Sequence, residues 1–482
     1  MSLSVTLTPA DVSNPPSRNP TITRFTVENL HGNQNYSVEL RPGLNIVEGK
    51  NGSGKTTFLH ILANLIDLDI ARFCYLNFKS ISVSVDNNCT IRLTKSEDPK
   101  ERTVRVSIDG DQIDTVVFDG ELQPSSKKLL SEKLGGRPVY LPAFRSILEA
   151  TPPVRRSGYY AESEIGRNEV ERITTREMHS YAGSTQLTGI DRYGTERAQL
   201  VAQKTLMCRD WFGKFVPIIR FPSLAEISDE VAKELNMAHL EVAATDRRAL
   251  SSVFVQVLHA ALGKTSAAGK DVIPLLADVQ KYLANLEQVH ADASAEYSQI
   301  AELFRATPST DWSASPWMLN ILEVYERALS NRATAQEKAF HRLRIFQRSV
   351  NQFLENKSLG YFDDTNTGRR YRPYITISGK GMTTSSLSVL SSGERHVLSL
   401  VFAATHMSSK DGILLIDEPE LSLHVDWQRI ILSEIMKQSG SRQIITCSHA
   451  PEVSADHLDS VIRLKPTASE KPQQVSELSE ES

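Results

Sequence analysis

An α/β head interrupted by a mostly helical insertion is the fold the sequence predicts. Three observations predict it. Near the N-terminus, alternating strand-like residues lead through a glycine-rich loop into an amphipathic helix. Near the C-terminus, short apolar runs read as buried parallel strands. Between them, two segments carry apolar residues at a sustained 3,4 spacing.

Residues 21–48 alternate as strands do. Ile22, Phe25 and Val27 open the first, residues 31–34 turn the chain, Tyr36, Val38 and Leu40 continue, and residues 44–47 lead into the glycine loop. Phe58, Leu59, Ile61, Leu62 and Leu65 mark one face of the following helix. Residues 80–85, 89–94 and 102–108 read as strands of a meander, and 139–141 as a buried strand closed by Pro142. From about residue 151 the strand signals fade. Residues 151–184 are polar, with Arg155, Arg156, Arg167, Arg172 and Arg176, and read as a solvated loop.

Leu276, Val279, Leu283, Leu286, His290, Ala293, Tyr297, Ile300 and Phe304 form one periodic stripe. Leu322, Tyr325, Leu329, Arg332, Gln336, Ala339, Leu343, Phe346, Val350 and Phe353 form a second. A 3.5-residue period over about four heptads is a coiled-coil seam. Residues 307–316, with Ser, Asp and two Pro, reverse the chain, so an antiparallel hairpin with arms of about 45 Å is expected. After residues 374–378 the α/β pattern returns at 413–416 and 443–446. The expected divisions are a disordered tail at 1–20, an N-terminal lobe at 21–150, the insertion at 151–372, a C-terminal lobe at 373–465 and a disordered tail at 466–482.

Composition narrows the function classes. With 40 % hydrophobic and 23 % charged residues, the 482-residue chain is not mostly disordered. No apolar run approaches the roughly 20 residues that span a bilayer, and the first residues lack a basic start before an apolar run. A cytoplasmic protein without membrane contact is expected. A net charge of -4 argues against coating nucleic acid by bulk charge. Cys74, Cys89, Cys208 and Cys447 are scattered, which supports neither a disulfide framework nor a cysteine zinc site.

The strongest motif is Gly49-Lys-Asn-Gly-Ser-Gly-Lys-Thr56, a phosphate loop between a strand and a helix. Gly49, Gly52 and Gly54 let the backbone wrap a phosphate without a clashing Cβ, in a loop that also holds Asn51 and Ser53; amides from Gly52 to Thr57 point inward where the helix dipole favours anions. Lys55 would reach the β- and γ-phosphates of ATP, and Thr56 would offer its hydroxyl to Mg²⁺. Residues 413–416 then deliver Asp417 and Glu418 at a strand end. Asp417 would hold Mg²⁺, and Glu418 would polarise the attacking water. Leu390-Ser-Ser-Gly-Glu-Arg395 opens a helix with Ser391 and Gly393 at its start; the resemblance to ABC-type ATPase heads that the motif order carries implies that they would face a γ-phosphate. Ser391 read alone is an ordinary helix cap. His449, after the strand at 443–446, would contact the γ-phosphate.

In this order the four motifs resemble ABC-type ATPase heads, which dimerise face to face so that Ser391 of one head would meet ATP held by its twin. Glu418-Pro-Glu-Leu-Ser-Leu-His424 with Trp427-Gln428, and Ser448-His-Ala-Pro-Glu452, are similar to the OLD-like branch of these ATPases. The resemblance covers residues 22–148 and 374–464. Three departures matter. Only 30 residues follow Glu452, too few for the branch's nuclease domain, so no nuclease is expected in this chain. The hairpin apex lacks Cys-x-x-Cys, which excludes a zinc hook. No glutamine lid is found; residues 141–145 occupy that stretch, with Arg145 as a replacement.

A stand-alone head with a short coiled-coil insertion looks like the ATPase partner of PARIS-type or Septu-type anti-phage systems. That resemblance implies a homo-oligomer, a separate effector such as a nuclease or toxin, and a DNA or phage-protein trigger. The alternative is a DNA-repair or recombination ATPase using residues 155–176, or Arg342, Arg344 and Arg348, on phosphates. A scaffold with ATP as a structural ligand and the nucleotide subunit of a transporter complete the alternatives.

Overall fold

The computed structural model describes residues 20–86, 89–96, 98, 101–118, 120–144, 148, 164–184, 192–261, 272–289, 302, 316–362, 372–378, 383–406 and 412–468. They fall into two compact units, divided after Leu224 and after Val389. The first unit holds residues from both ends of the chain; the second holds residues 225–389.

Two sheets build the first unit. The antiparallel sheet runs in the order Thr467–Ala468, Gln34–Glu39, Ile22–Leu30, Ser80–Val85, Cys89–Lys95, Thr103–Ile108, Asp111–Val117. The parallel sheet runs Val461–Arg463, Leu44–Glu48, Ile444–Ser448, Leu414–Asp417, Val139–Leu141. Its central strands are buried from end to end, their apolar runs leading into buried Asp417 in one and Thr446 and Ser448 in the other. Helix Lys55–Ile66 packs on this sheet and buries Phe58, Leu59, Ile61, Leu62 and Leu65. Phe58 also meets Phe25 of the antiparallel sheet edge-to-face, 4.8 Å between ring centres. Gln443 joins the sheets: its side chain accepts from Ile22 N and donates to Ile22 O and Arg41 O.

Strand Asp111–Val117 and helix Pro124–Leu134 were outside the sequence expectation. So was strand Thr467–Ala468, which pairs with residues 34–35 and orders the start of the expected tail. Residues 1–19 and 469–482 lie outside the described residues, as does Arg145.

The arginine-rich segment requires a correction. Residues 164–184 form a helix, Glu164–Ser184, in the first unit, paired with helix Arg192–Phe212. Ile173 packs with Val201, Ala202 and Ile218. Arg172 and Arg176 turn inward onto Asp69, which lies three residues past the phosphate-loop helix and also takes Arg209 and Arg72. A second cluster joins Asp67, Arg220, Glu177 and Arg137. The charges looked solvated because their acidic partners lie about a hundred positions away in sequence. Arg155 and Arg156 are outside the described residues.

The second unit contains three long helices, Leu224–Ala261, Val272–Val289 and Pro316–Asn351, and a sheet ordered Thr383–Ser385, Arg372–Ile377, Lys357–Phe362. The expected seam is present where it is described: Leu276, Val279 and Leu283 pack with Leu322 and Leu329. The expected two-helix hairpin becomes a three-helix arrangement, because Arg332 pairs with Asp246, Arg342 pairs with Glu234, and Phe340 meets His239. Leu286 has no described side chain, residues 290–304 are not described apart from Glu302, and the apex at 307–315 also lies outside the description.

Candidate nucleotide site

Three parallel strands deliver the site at their C-terminal ends, where ligands of such sheets bind. Leu44–Glu48 leads to the glycine loop, Leu414–Asp417 ends in the acidic pair, and Ile444–Ser448, lying between them, ends at His449.

The loop has the backbone a phosphate cradle needs. Gly52 and Gly54 adopt left-handed φ values of +77° and +87°. A Cβ on Gly54 would stand 2.6 Å from Tyr36 Oη, and one on Gly49 would stand 2.5 Å from Ser53 Oγ. Tyr36 Oη donates to Ser53 O at 2.9 Å and so braces the loop from the antiparallel sheet. Gly54→Ala combines left-handed strain with this clash and is expected to cost about 1–2 kcal/mol of unfolding free energy in urea titration.

Lys55 is buried, and its Nζ donates to Gly49 O (2.8 Å) and Lys50 O (3.3 Å), inside the curve of the loop. Thr56 Oγ1 donates to Asp417 Oδ2 at 2.8 Å. The residues fit a magnesium nucleotide. Ser53 Oγ is buried without a hydrogen-bond partner in the loop, and a hydroxyl and a carboxylate, the oxygen donors Mg²⁺ prefers, stand side by side. Among the described residues no cluster of three His, Cys, Asp or Glu could hold a metal alone. The remaining ligands would come from phosphate and water. Asn51 and Gly52 lie at the exposed tip, and Thr57 is half-buried.

Glu418 takes a left-handed φ of +48°, a conformation that costs energy in a non-glycine residue and often marks a functional site. Its Oε1 lies 3.2 Å from His449 Nδ1. Cys447, in the strand before His449, is buried under Lys55 O; burial, with Asp417 nearby, pushes its thiol pKa well up and leaves it inert.

Ser391 and Gly393 stand at the start of helix Ser392–His406. Ser391 caps it reciprocally: its amide donates to Glu394 Oε2 (2.6 Å), and its Oγ accepts from Glu394 N (3.4 Å). Ser391 is nonetheless exposed. Gly393 is packed so closely that a Cβ would stand 2.9 Å from Ser422 O and 3.4 Å from Trp427. Within one chain the structure therefore joins Lys55 to Gly49 and Lys50, Thr56 to Asp417, and Glu418 to His449, and gives Ser391 and Gly393 contacts of their own with Glu394, Ser422 and Trp427. Sequence reasoning missed Tyr36, Ser448 and Glu420. The second glutamate of Glu-Pro-Glu was the available signal for Glu420.

Residues 273–455 match the family described as AAA domain, putative AbiEii toxin, Type IV TA system. The matched stretch contains Ser391, Gly393, Asp417, Glu418 and His449 and supports an ATPase-like AAA domain. No curated protein matches the chain. Solved Smc head domains are also similar. One, from Pyrococcus furiosus with an extended coiled coil and bound to the C-terminal domain of ScpA, is 13 % identical, covers 93 % of this chain and 96 % of its own, and has a TM-score of 0.38. Another, from Pyrococcus yayanosii with a coiled coil and joint, is 11 % identical, covers 93 % and 97 %, and has a TM-score of 0.39. At such scores the likeness carries no argument. Among the described residues, no helix is long and apolar enough to cross a membrane.

Proposed function

We propose that this chain binds ATP with Mg²⁺ and hydrolyses it, and that it does so as a regulatory subunit controlling a separate effector. The observation that carries the ATPase reading is the 2.8 Å bond between Thr56 and Asp417, residues 361 positions apart in sequence that the parallel sheet brings to one edge. Lys55 and the loop amides would bind the β- and γ-phosphates; Thr56 and Asp417 would hold Mg²⁺. Bound Mg²⁺ would neutralise charge developing on the phosphate oxygens. Glu418 would orient water and take its proton, with His449 beside it. Exposed Ser391 would complete the site of a second copy, giving a homo-oligomer of face-to-face heads.

The regulatory role is supported by the OLD-like motifs; the matched family is itself described as a putative toxin of a Type IV TA system, which places such domains in paired systems without assigning this chain the toxin or the regulatory part. A nuclease or toxin is the effector class this implies, with a phage protein or DNA as trigger and the cytoplasm as location. Direct DNA binding through the helical arginines is disfavoured. Arg172 and Arg176 are committed to Asp69, Arg342 to Glu234 and Arg344 to Glu337.

Lys55→Ala removes a charge-assisted contact worth about 1.5–3 kcal/mol, so the Kd for ATP should rise by a factor of about 10–150 in calorimetry. Unchanged affinity would contradict the site. Purifying the chain with the product of its neighbouring gene, and weighing the complex with and without ATP and Mg²⁺, tests the regulatory role.

A further inference from the structure

Glu420 is a glutamate with no role in the reading above, yet its side chain is only 5 % exposed. Burying a carboxylate is costly unless it is hydrogen-bonded, so its partners indicate what it does. The turn that follows Glu418 folds it back: Leu421 N donates to Glu418 O, Leu423 N donates to Glu420 O, and Ser422 adopts a left-handed φ of +66°. This carries the Glu420 side chain beneath the end of strand Ile444–Ser448. There Oε1 accepts from Ser448 Oγ (2.8 Å), His449 N (3.1 Å) and Ala450 N (3.3 Å).

The same Oε1 lies 3.4 Å from His449 Nδ1, and Glu418 Oε1 lies 3.2 Å from that nitrogen. One nitrogen of the imidazole therefore lies within 3.4 Å of two carboxylates of different character. Glu418 is a quarter exposed, whereas Glu420 is buried and fixed by three donors. A carboxylate beside Nδ1 favours one ring orientation, with Nε2 left for another partner.

We propose that Glu420 is the positioning residue of this site: anchored on Ser448 and the amides of residues 449 and 450, it fixes the ring of His449 against Glu418 and acts on hydrolysis only through that histidine. This deepens the ATPase reading and rests on it. Glu420 does not touch the nucleotide. Its loss should therefore appear in turnover and leave affinity alone.

Glu420→Gln is the informative change. The amide oxygen can still accept from Ser448 and both backbone amides, while the negative charge facing the imidazole is gone. The expected result is a fall in kcat of about ten- to a hundredfold, with the Kd for ATP within about twofold of wild type. His449→Ala separates a positioning role from a structural one. In that background Glu420→Gln should cause no further loss, because a residue acting through His449 has nothing left to act on. Should Glu420→Gln fail to fold, Ser448→Ala removes one anchor and is expected to lower kcat in the same non-additive way.

Undiminished turnover in Glu420→Gln, or losses that multiply in the double variant, would overturn the proposal. A wild-type chain that neither binds nor hydrolyses ATP would overturn the reading of the whole site, a different result from an active wild type with an indifferent Glu420.

Discussion

Glu418→Gln should lower ATP turnover by about 10²–10⁴-fold while leaving ATP bound. A positioned general base contributes a factor of that size, and glutamine cannot take a proton from water. The geometry makes the substitution clean. Glu418 follows Asp417 directly, yet its left-handed backbone directs it toward His449 and leaves the Thr56–Asp417 pair in place. Binding and hydrolysis should therefore separate, and the variant should accumulate as an ATP-loaded head dimer. Single-turnover kinetics and the mass of the complex would show it. Normal turnover would remove the catalytic role from Glu418 and favour the scaffold reading, in which ATP is only a structural ligand.

Asp69→Asn is expected to destabilise the first unit by about 3–5 kcal/mol, the usual cost of leaving buried charges without a partner. Asp69 is fully buried, with Arg72, Arg172, Arg176 and Arg209 around it, and Arg72 and Arg209 are themselves buried. Burial alone would raise its pKa; Arg176, Arg209, Arg72 and Arg172 outweigh it and hold the carboxyl far below its usual value. Glu177 is lowered likewise: desolvation opposes, but Arg220 and Arg137 prevail. The sign follows from linkage. Groups whose folded pKa lies below the unfolded one contribute full stability above about pH 5, and the contribution shrinks as pH falls through about 4 and below. Urea midpoints of the wild-type chain should drop steeply below about pH 4.5, and those of Asp69→Asn should drop less. Equal slopes would mean that the cluster contributes nothing to stability.

Much of the head was legible because its signals are local. The strand at 139–141, the meander, and the helix with Phe58, Leu62 and Leu65 follow from periodicity within a few residues. The phosphate loop was legible because its glycines answer to a backbone requirement. What escaped was set by partners distant in sequence. Arg172 and Arg176 carry the same composition whether they face water or Asp69. Asp111–Val117 begins with polar residues and is a strand because Thr103–Ile108 lies beside it. Glu420 was quoted within a motif and given no role, because only folding places it beneath Ser448 and His449. The second stripe lies on helix Pro316–Asn351 from Leu322 to Val350, with Phe353 past its end, but the partners of Arg332 and of neighbouring Arg342, on helix Leu224–Ala261, could not be read from its spacing.

The order of the parallel sheet has a consequence for synthesis. Among the described residues, Leu44–Glu48 pairs with Ile444–Ser448 and Val461–Arg463, and Val139–Leu141 pairs with Leu414–Asp417. At roughly 5–20 residues per second, a ribosome needs about 20–80 seconds between making the first of these strands and making its partner. Throughout that interval an apolar ribbon has no sheet to join. The nascent polypeptide is a natural client for chaperones that shield such ribbons, and translation that stops before residue 414 leaves a fragment prone to aggregate.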